Sequence, residues 1–265
     1  MPGKYNRVVI KVGTTILAHD TGLLNLRQIG SLTKTLADIK NSGVDVILVT
    51  SGAIGVGAGK LGLRSRPSDI PTKQACAAVG QSSLMNTYQQ EFSRYHHNIA
   101  QILLTRDVVE SDTLAQNVRN TFERLLELGV IPVVNENDTV STDEIRTEDH
   151  SLSFGENDTL SAIVAILTNA DLLVMMTDID GLYDCCPKEN PDAKLITHVD
   201  SITDKIRELA GGAGSSLGTG GMATKITAAE IAVKNGIPAV IMNGRKDRLL
   251  YDLLEGKNIG TIFKC

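Results

Sequence analysis

The stretch Gly43-Val44-Asp45-Val46-Ile47-Leu48-Val49-Thr50-Ser51-Gly52-Ala53 decides how this chain folds. Apart from Asp45, the run from Val44 to Val49 holds only β-branched or leucine side chains. A strand sends alternate side chains to opposite faces, so a run this apolar needs cover on both. Gly43 suits the C′ position of a helix that has just ended. The Thr-Ser-Gly-Ala that follows is small, polar and prone to turn. A strand covered on both faces and entered from a helix belongs to a parallel sheet with helices on either side.

The same unit recurs along the chain. Strands are expected at 7–12, 44–50, 99–105, 130–135, 172–177 and 237–242, and helices at 26–41, 72–96, 113–128, 158–168 and 223–235. Gly129 and Gly236 repeat the placement of Gly43 between a helix and the next strand. The alternation predicts an α/β fold with a mostly parallel sheet, and no linker divides 1–265 into separate domains. Two segments interrupt it. The polar, β-prone stretch 138–153 reads as a hairpin or flap. The stretch 183–199, with Pro187 and Pro191, reads as a loop with a short hairpin.

Composition narrows the function. The net charge of −5 argues against a nucleic-acid-binding face, so any anion site must be local. Aromatic residues make up 3% and Trp is absent, which removes stacking platforms for bases or sugars. The first seven residues carry no apolar leader, and no run reaches the roughly 18 apolar residues of a membrane span. The four cysteines include no CxxC pair, and Cys185-Cys186 are adjacent, which is poor spacing for one metal ion. The expectation is a soluble, cytoplasmic chain with free thiols, no protein-built metal site, and neither nucleic acid nor membrane as partner.

Ligands of open α/β sheets bind beyond the carboxyl ends of the strands. There the sequence offers Lys11-Val12-Gly13-Thr14, Ser51-Gly52-Ala53, Asn135-Glu136-Asn137-Asp138, Asn157-Asp158 and Thr177-Asp178. Lys11 interrupts an apolar run and needs either an anionic partner or an edge position open to water. Asp158 opens a helix, where it either complements the dipole or orients lysines or a metal ion. Gly218-Thr219-Gly220-Gly221-Met222-Ala223-Thr224-Lys225 places flexible backbone, hydroxyls and one cation at a helix N-terminus, a setting that suits a polyphosphate. The chain has no GxxxxGK[ST] loop, and the literal GxGxxG at 57–62 lies too far beyond its strand for a dinucleotide fingerprint. Ser51 has no GxSxG frame, and none of the five histidines lies in a suggestive motif, so covalent catalysis by serine is not expected.

Six blocks, Val9–Thr14, Thr50–Ile54, Val134–Asp138, Phe154–Asp158, Thr177–Tyr183 and Gly218–Lys225, stand in the order seen in the amino acid kinase family, which the chain resembles over about 6–263. Gln74-Ala75-Cys76-Ala77-Ala78-Val79-Gly80-Gln81 and Leu103-Leu104-Thr105-Arg106 make it most similar to members that act on free glutamate, at the first step of proline synthesis. The resemblance implies a three-layer α/β/α sandwich that transfers the ATP γ-phosphoryl group to the L-glutamate γ-carboxylate. The N-terminal half would take the amino acid and the C-terminal half ATP. Lys11 and Lys225 would stabilise the phosphoryl group, with Asp158 orienting them. Ser51, Gly52, Ala53, Asp138 and Asn157 would bind glutamate. Lys11, Thr177, Asp178 and the loop Thr219, Gly220, Gly221, Met222, Ala223, Thr224, Lys225 would bind ATP. Mg²⁺ would enter mainly through the nucleotide.

The resemblance also implies a homo-oligomer, and proline feedback acting near the segment after Asp138. Many bacterial members carry a C-terminal RNA-modification-type domain, and this chain is expected to be the kinase domain alone. Family members often have other residues at Cys185 and Cys186. Two alternatives remain at this stage: a relative acting on another acid, such as acetylglutamate, and a catalytically silent nucleotide or amino-acid sensor.

Overall fold

The computed structural model describes residues 5–19, 21–65, 67–105, 107–140, 157–187, 189–211, 221–246 and 248–264. In chain order the elements are β1 (Arg7–Val12), α1 (Thr14–Leu17), α2 (Leu26–Asn41), β2 (Asp45–Val49), α3 (Ala53–Lys60), α4 (Ile70–Ser93), β3 (Ile99–Leu104), α5 (Asp107–Glu110), α6 (Asp112–Glu127), β4 (Ile131–Glu136), α7 (Asn157–Leu167), β5 (Leu172–Thr177), β6 (His198–Val199), α8 (Asp204–Ala210), α9 (Met222–Lys234), β7 (Ala239–Asn243), α10 (Leu249–Leu254) and β8 (Thr261–Phe263).

The strands form one sheet in the order β3-β4-β2-β1-β5-β7-β8-β6. β1 lies at its centre, with Ile10 opposite Leu48 of β2 and opposite Val174 of β5, both parallel. Only the β7–β8 pairing is antiparallel among the described strands. The edge pair β8 and β6 is too short to leave a periodic signal in the sequence.

Alternation along the strands divides the core into two layers. Val9, Ile47, Val49, Val134, Leu173 and Ile241 face one side, packed with Phe122 of α6, Leu160 of α7 and Ile226 of α9. Val8, Ile10, Val46, Leu48, Val133 and Val174 face the other, packed with Leu36 of α2, Leu84 and Phe92 of α4, and Leu250 of α10. This is the three-layer sandwich the apolar strands require. Each fully buried Val, Leu or Ile contributes about 1.5–3 kcal/mol, so the sheet is held mainly by its two faces.

Local chemistry sets several helix starts. Asn25 and Asp69 accept from the main-chain N–H groups of Gln28 and Thr72, which caps α2 and α4. The cap at Asp69 and a proline in the first turn start α4 two residues before its apolar pattern becomes visible. The hairpin or flap expected at 138–153 lies, from residue 141 onward, outside the described residues. In the 183–199 segment, Tyr183 pairs antiparallel with Leu195, and β6 then joins the sheet edge.

Candidate active site

The carboxyl ends of β1, β2, β4, β5 and β7 gather the polar residues that the sequence singles out. Lys11 and Lys225 are each 5% exposed and Asp158 is 1% exposed. Lys11 Nζ lies 2.7 Å from Asp158 Oδ1, and Lys225 Nζ lies 3.1 Å from Asp158 Oδ2. One carboxylate therefore bridges two ammonium groups that come from β1 and α9, elements far apart in sequence. Thr224 Oγ1 sits 2.7 Å from the same Oδ2 and 2.8 Å from Gly221 O, so its single proton lies between two acceptors.

The electrostatics follow from this geometry. Burial on its own would raise the Asp158 carboxyl above its ordinary value. The charges of Lys11 and Lys225, with hydrogen bonds from Lys11 and Thr224, outweigh burial and bring it down to about 2. Asp158 is thus a permanent anion at neutral pH. Asp158 stands in the first turn of α7, where it complements the dipole, and lies between the two lysines as well. A Cβ on Gly13 would stand 3.7 Å from Lys11 Nζ, so the turn after β1 runs beside that ammonium group.

Ser51 joins this rim through its backbone neighbours. Its hydroxyl donates to Val12 O at 3.0 Å and lies 3.2 Å from Thr14 Oγ1. The end of β2 is anchored by Thr50, whose hydroxyl meets the fully buried Tyr88 hydroxyl at 3.0 Å. Gly52, at φ 94°, turns the chain into α3 with no side-chain cap. The first bond within α3 runs from Val56 N to Gly52 O, so the N–H groups of Ala53, Ile54 and Gly55 precede it and suit an anion.

The other designated residues fall around this centre. Asp138 stands in the turn after β4 and lines a small recess with Ala53. Asn157 is the first residue of α7, and its Oδ1 is buried without a donor among the described residues. Thr177 closes β5 and donates to Asp178 Oδ1 at 3.2 Å. Gly221 stands at the N-cap position of α9, with Met222, Ala223 and Thr224 in its first turn and no acid there. Thr219 and Gly220 lie outside the described residues.

Sequence reasoning missed some of this arrangement. Thr14 touches Ser51, which only the β1–β2 pairing reveals. Thr224, expected to contact the nucleotide, also places its hydroxyl on Asp158, which the sequence does not announce. Gln81 and Asn135 pair in the interior at 2.9 Å, which the sequence pattern of α4 does not announce.

Two of the glycines at 57–62, Gly57 and Gly59, have a packing explanation, and a Cβ on Gly59 would press on the backbone of Gly22. A Cβ on Gly57 would overlap the Cys76 carbonyl, and one on Gly80 would overlap the Ala53 carbonyl, so α3 and α4 meet backbone to backbone. Cys76, Cys185 and Cys186 are free thiols. Among the described residues, no group of three carboxylate, imidazole or thiol side chains could hold a metal ion. Nor is any described helix long and apolar enough to cross a membrane.

The chain has counterparts among known proteins. The model of the amino acid kinase family matches residues 6–243, and the chain belongs to that family. Within it, the chain is 52% identical over 257 residues to a glutamate 5-kinase of Clostridium perfringens, covering 97% of this chain and 94% of that protein. A glutamate 5-kinase of Enterococcus faecalis is 50% identical, with the same coverage of both chains. Among solved structures, a UMP kinase from Bacillus anthracis superposes with a TM-score of 0.66 over 98% of this chain and 96% of its own, at 17% identity. That last likeness concerns the fold alone.

Proposed function

We propose that this chain transfers the γ-phosphoryl group of ATP to the γ-carboxylate of L-glutamate, giving L-glutamyl 5-phosphate, the first step of proline synthesis from glutamate. The observation that carries the chemistry is the buried Asp158 carboxylate holding Lys11 and Lys225 side by side. The likeness to glutamate 5-kinases at about half identity carries the choice of acceptor.

The chemistry suits a site without a general base. A γ-carboxylate is already ionised at neutral pH, given a reference value near 4.3. Its oxygen attacks the γ-phosphorus, the bond to the bridging oxygen breaks, and ADP leaves with the electron pair. No proton must be removed from the acceptor. The barrier lies in bringing an anion to a polyanion, and fixed positive charge lowers it. Lys11 and Lys225 supply that charge, and Asp158 fixes their positions in advance.

Ser51, Gly52 and the leading N–H groups of α3 would hold the γ-carboxylate beside Lys11. Asp138 would pair with the α-ammonium group, with Asn157 nearby, and an N-acylated substrate would lose that pairing. ATP would lie along Thr177, Asp178 and the approach to α9, from Thr219 to Lys225. Mg²⁺ would be carried by the nucleotide phosphates and neutralise part of their charge, since the described side chains build no cage for it.

This reading makes the chain a single kinase domain of the reducing cytoplasm, working as a homo-oligomer with proline as feedback inhibitor. The product gives a direct test. An acyl phosphate reacts with hydroxylamine, so Mg-ATP, glutamate and hydroxylamine should yield γ-glutamyl hydroxamate in step with ADP. ADP release without hydroxamate would refute the reaction.

A further inference from the structure

Gln81 is a polar side chain on the buried face of α4, 7% exposed, and the reaction described so far gives it no role. Its Oε1 accepts from Asn135 Nδ2 at 2.9 Å. Gln81 Nε2 is then buried with no acceptor among the described residues, and Asn135 Oδ1 has no donor. Buried donors are rarely left unmet in native structures, because the loss of water is not repaid. An amide in this state is poised for a ligand acceptor.

The backbone explains its position. Because Gly80 has no Cβ, α4 lies against the carbonyl of Ala53, the first residue of α3. The next residue, Gln81, therefore shares the recess lined by Ala53, Glu136 and Asp138. Asp138, to which the glutamate reading gives the α-ammonium group, lines that recess. A carboxylate entering beside that ammonium needs a hydrogen-bond donor, and a neutral amide N–H provides one.

We propose that Gln81 donates through Nε2 to the α-carboxylate of the amino-acid substrate, while Asp138 takes the neighbouring α-ammonium group. The assignment rests on the glutamate reading above. It makes Gln81 a specificity-determining residue, which selects acceptors that carry a second carboxylate at the α position.

The test uses the intact chain with Mg-ATP, two variants and two competitors of glutamate. Glutarate keeps both carboxylates and lacks the amino group. 4-Aminobutyrate keeps the amino group and lacks the α-carboxylate. Gln81→Leu should raise the glutamate KM and the glutarate inhibition constant alike, by about tenfold or more, since hydrogen bonds to charged groups are among the stronger ones. The inhibition constant of 4-aminobutyrate and the ATP KM should stay within about twofold.

Gln81→Glu keeps an acceptor for Asn135 and places an anion where the donor was. It should weaken glutamate and glutarate at least as much while sparing 4-aminobutyrate, and it carries the test if Gln81→Leu melts early. Equal weakening of all three ligands would mean a structural role and overturn the assignment. So would weakening of 4-aminobutyrate alone, which would put the amide against the ammonium group, or no change at all. If the wild-type chain does not turn over glutamate, the proposed reaction fails and the Gln81 assignment fails with it. If wild type turns glutamate over and only the variants depart from expectation, Gln81 alone is misassigned.

Discussion

Replacing Asp158 by Asn keeps the shape of the side chain and removes the charge that two lysines share. Lys11 and Lys225, at 2.7 and 3.1 Å from its oxygens, would then lose the carboxylate that lies between them. Removing one partner of a buried ion pair costs about 3–5 kcal/mol. At about 2–4 °C per kcal/mol for a chain of this size, the midpoint of unfolding should fall by about 6–20 °C. Linkage gives a smaller share. Lowering the Asp158 carboxyl from 3.8 to about 2 is worth about 2 kcal/mol, because it counts only the carboxylate and not the two lysines.

The sign of that term is testable. A depressed carboxyl stabilises the fold above its unfolded value, near 4, and loses the effect as pH falls through about 2. Wild type and Asp158→Asn should therefore converge in stability across that window. Sulfate or ATP should recover more of the midpoint in the variant than in wild type, because an anion replaces the missing charge. Turnover should fall by at least about 100-fold, as loss of preorganised charge does elsewhere. Differential scanning calorimetry with and without sulfate, beside steady-state kinetics, reads all of this. A midpoint within about 2 °C of wild type, with an unchanged anion response, would refute the argument.

Other outcomes follow from the same geometry. Lys225→Ala should cut turnover at least about 100-fold in a coupled ADP assay, and near-wild-type turnover would remove Lys225 from the phosphoryl site. Asp138→Asn should raise the glutamate KM by about tenfold or more and leave the ATP KM unchanged, because it loses a charge pairing with the α-ammonium group alone. Gly80→Leu should destabilise the chain by about 3 kcal/mol or more in urea unfolding, since its side chain would collide with the Ala53 carbonyl; unaltered stability would mean that α3 and α4 are not packed backbone to backbone.

Much of the fold was legible because its strands are covered on both faces. Val46 to Val49 could not be a solvated strand, and all four side chains are fully buried. The edge was not legible, since β6 and β8 hold two and three residues and pair through tertiary context. At the site, Lys11, Asp158 and Lys225 stood out as charges in apolar or helix-opening positions. Their convergence on one carboxylate came only from the fold, which brings β1, α7 and α9 to one end of the sheet. Gln81 was harder to find. Its polarity is ordinary in a helix, and only Gly80 seated on α3 shows that it points inward. The literal GxGxxG at 57–62 misleads for a related reason, because Gly57 serves close packing between helices, Gly59 lies against Gly22 and Gly62 takes a positive φ.

The central claim is that this chain phosphorylates free glutamate. The most direct measurement is kcat/KM for ADP formation with Mg-ATP and each of glutamate, aspartate, N-acetylglutamate, carbamate and UMP. Glutamate should exceed every other acceptor, with N-acetylglutamate weak because it cannot pair with Asp138. Preferential turnover of any other acceptor would contradict the account.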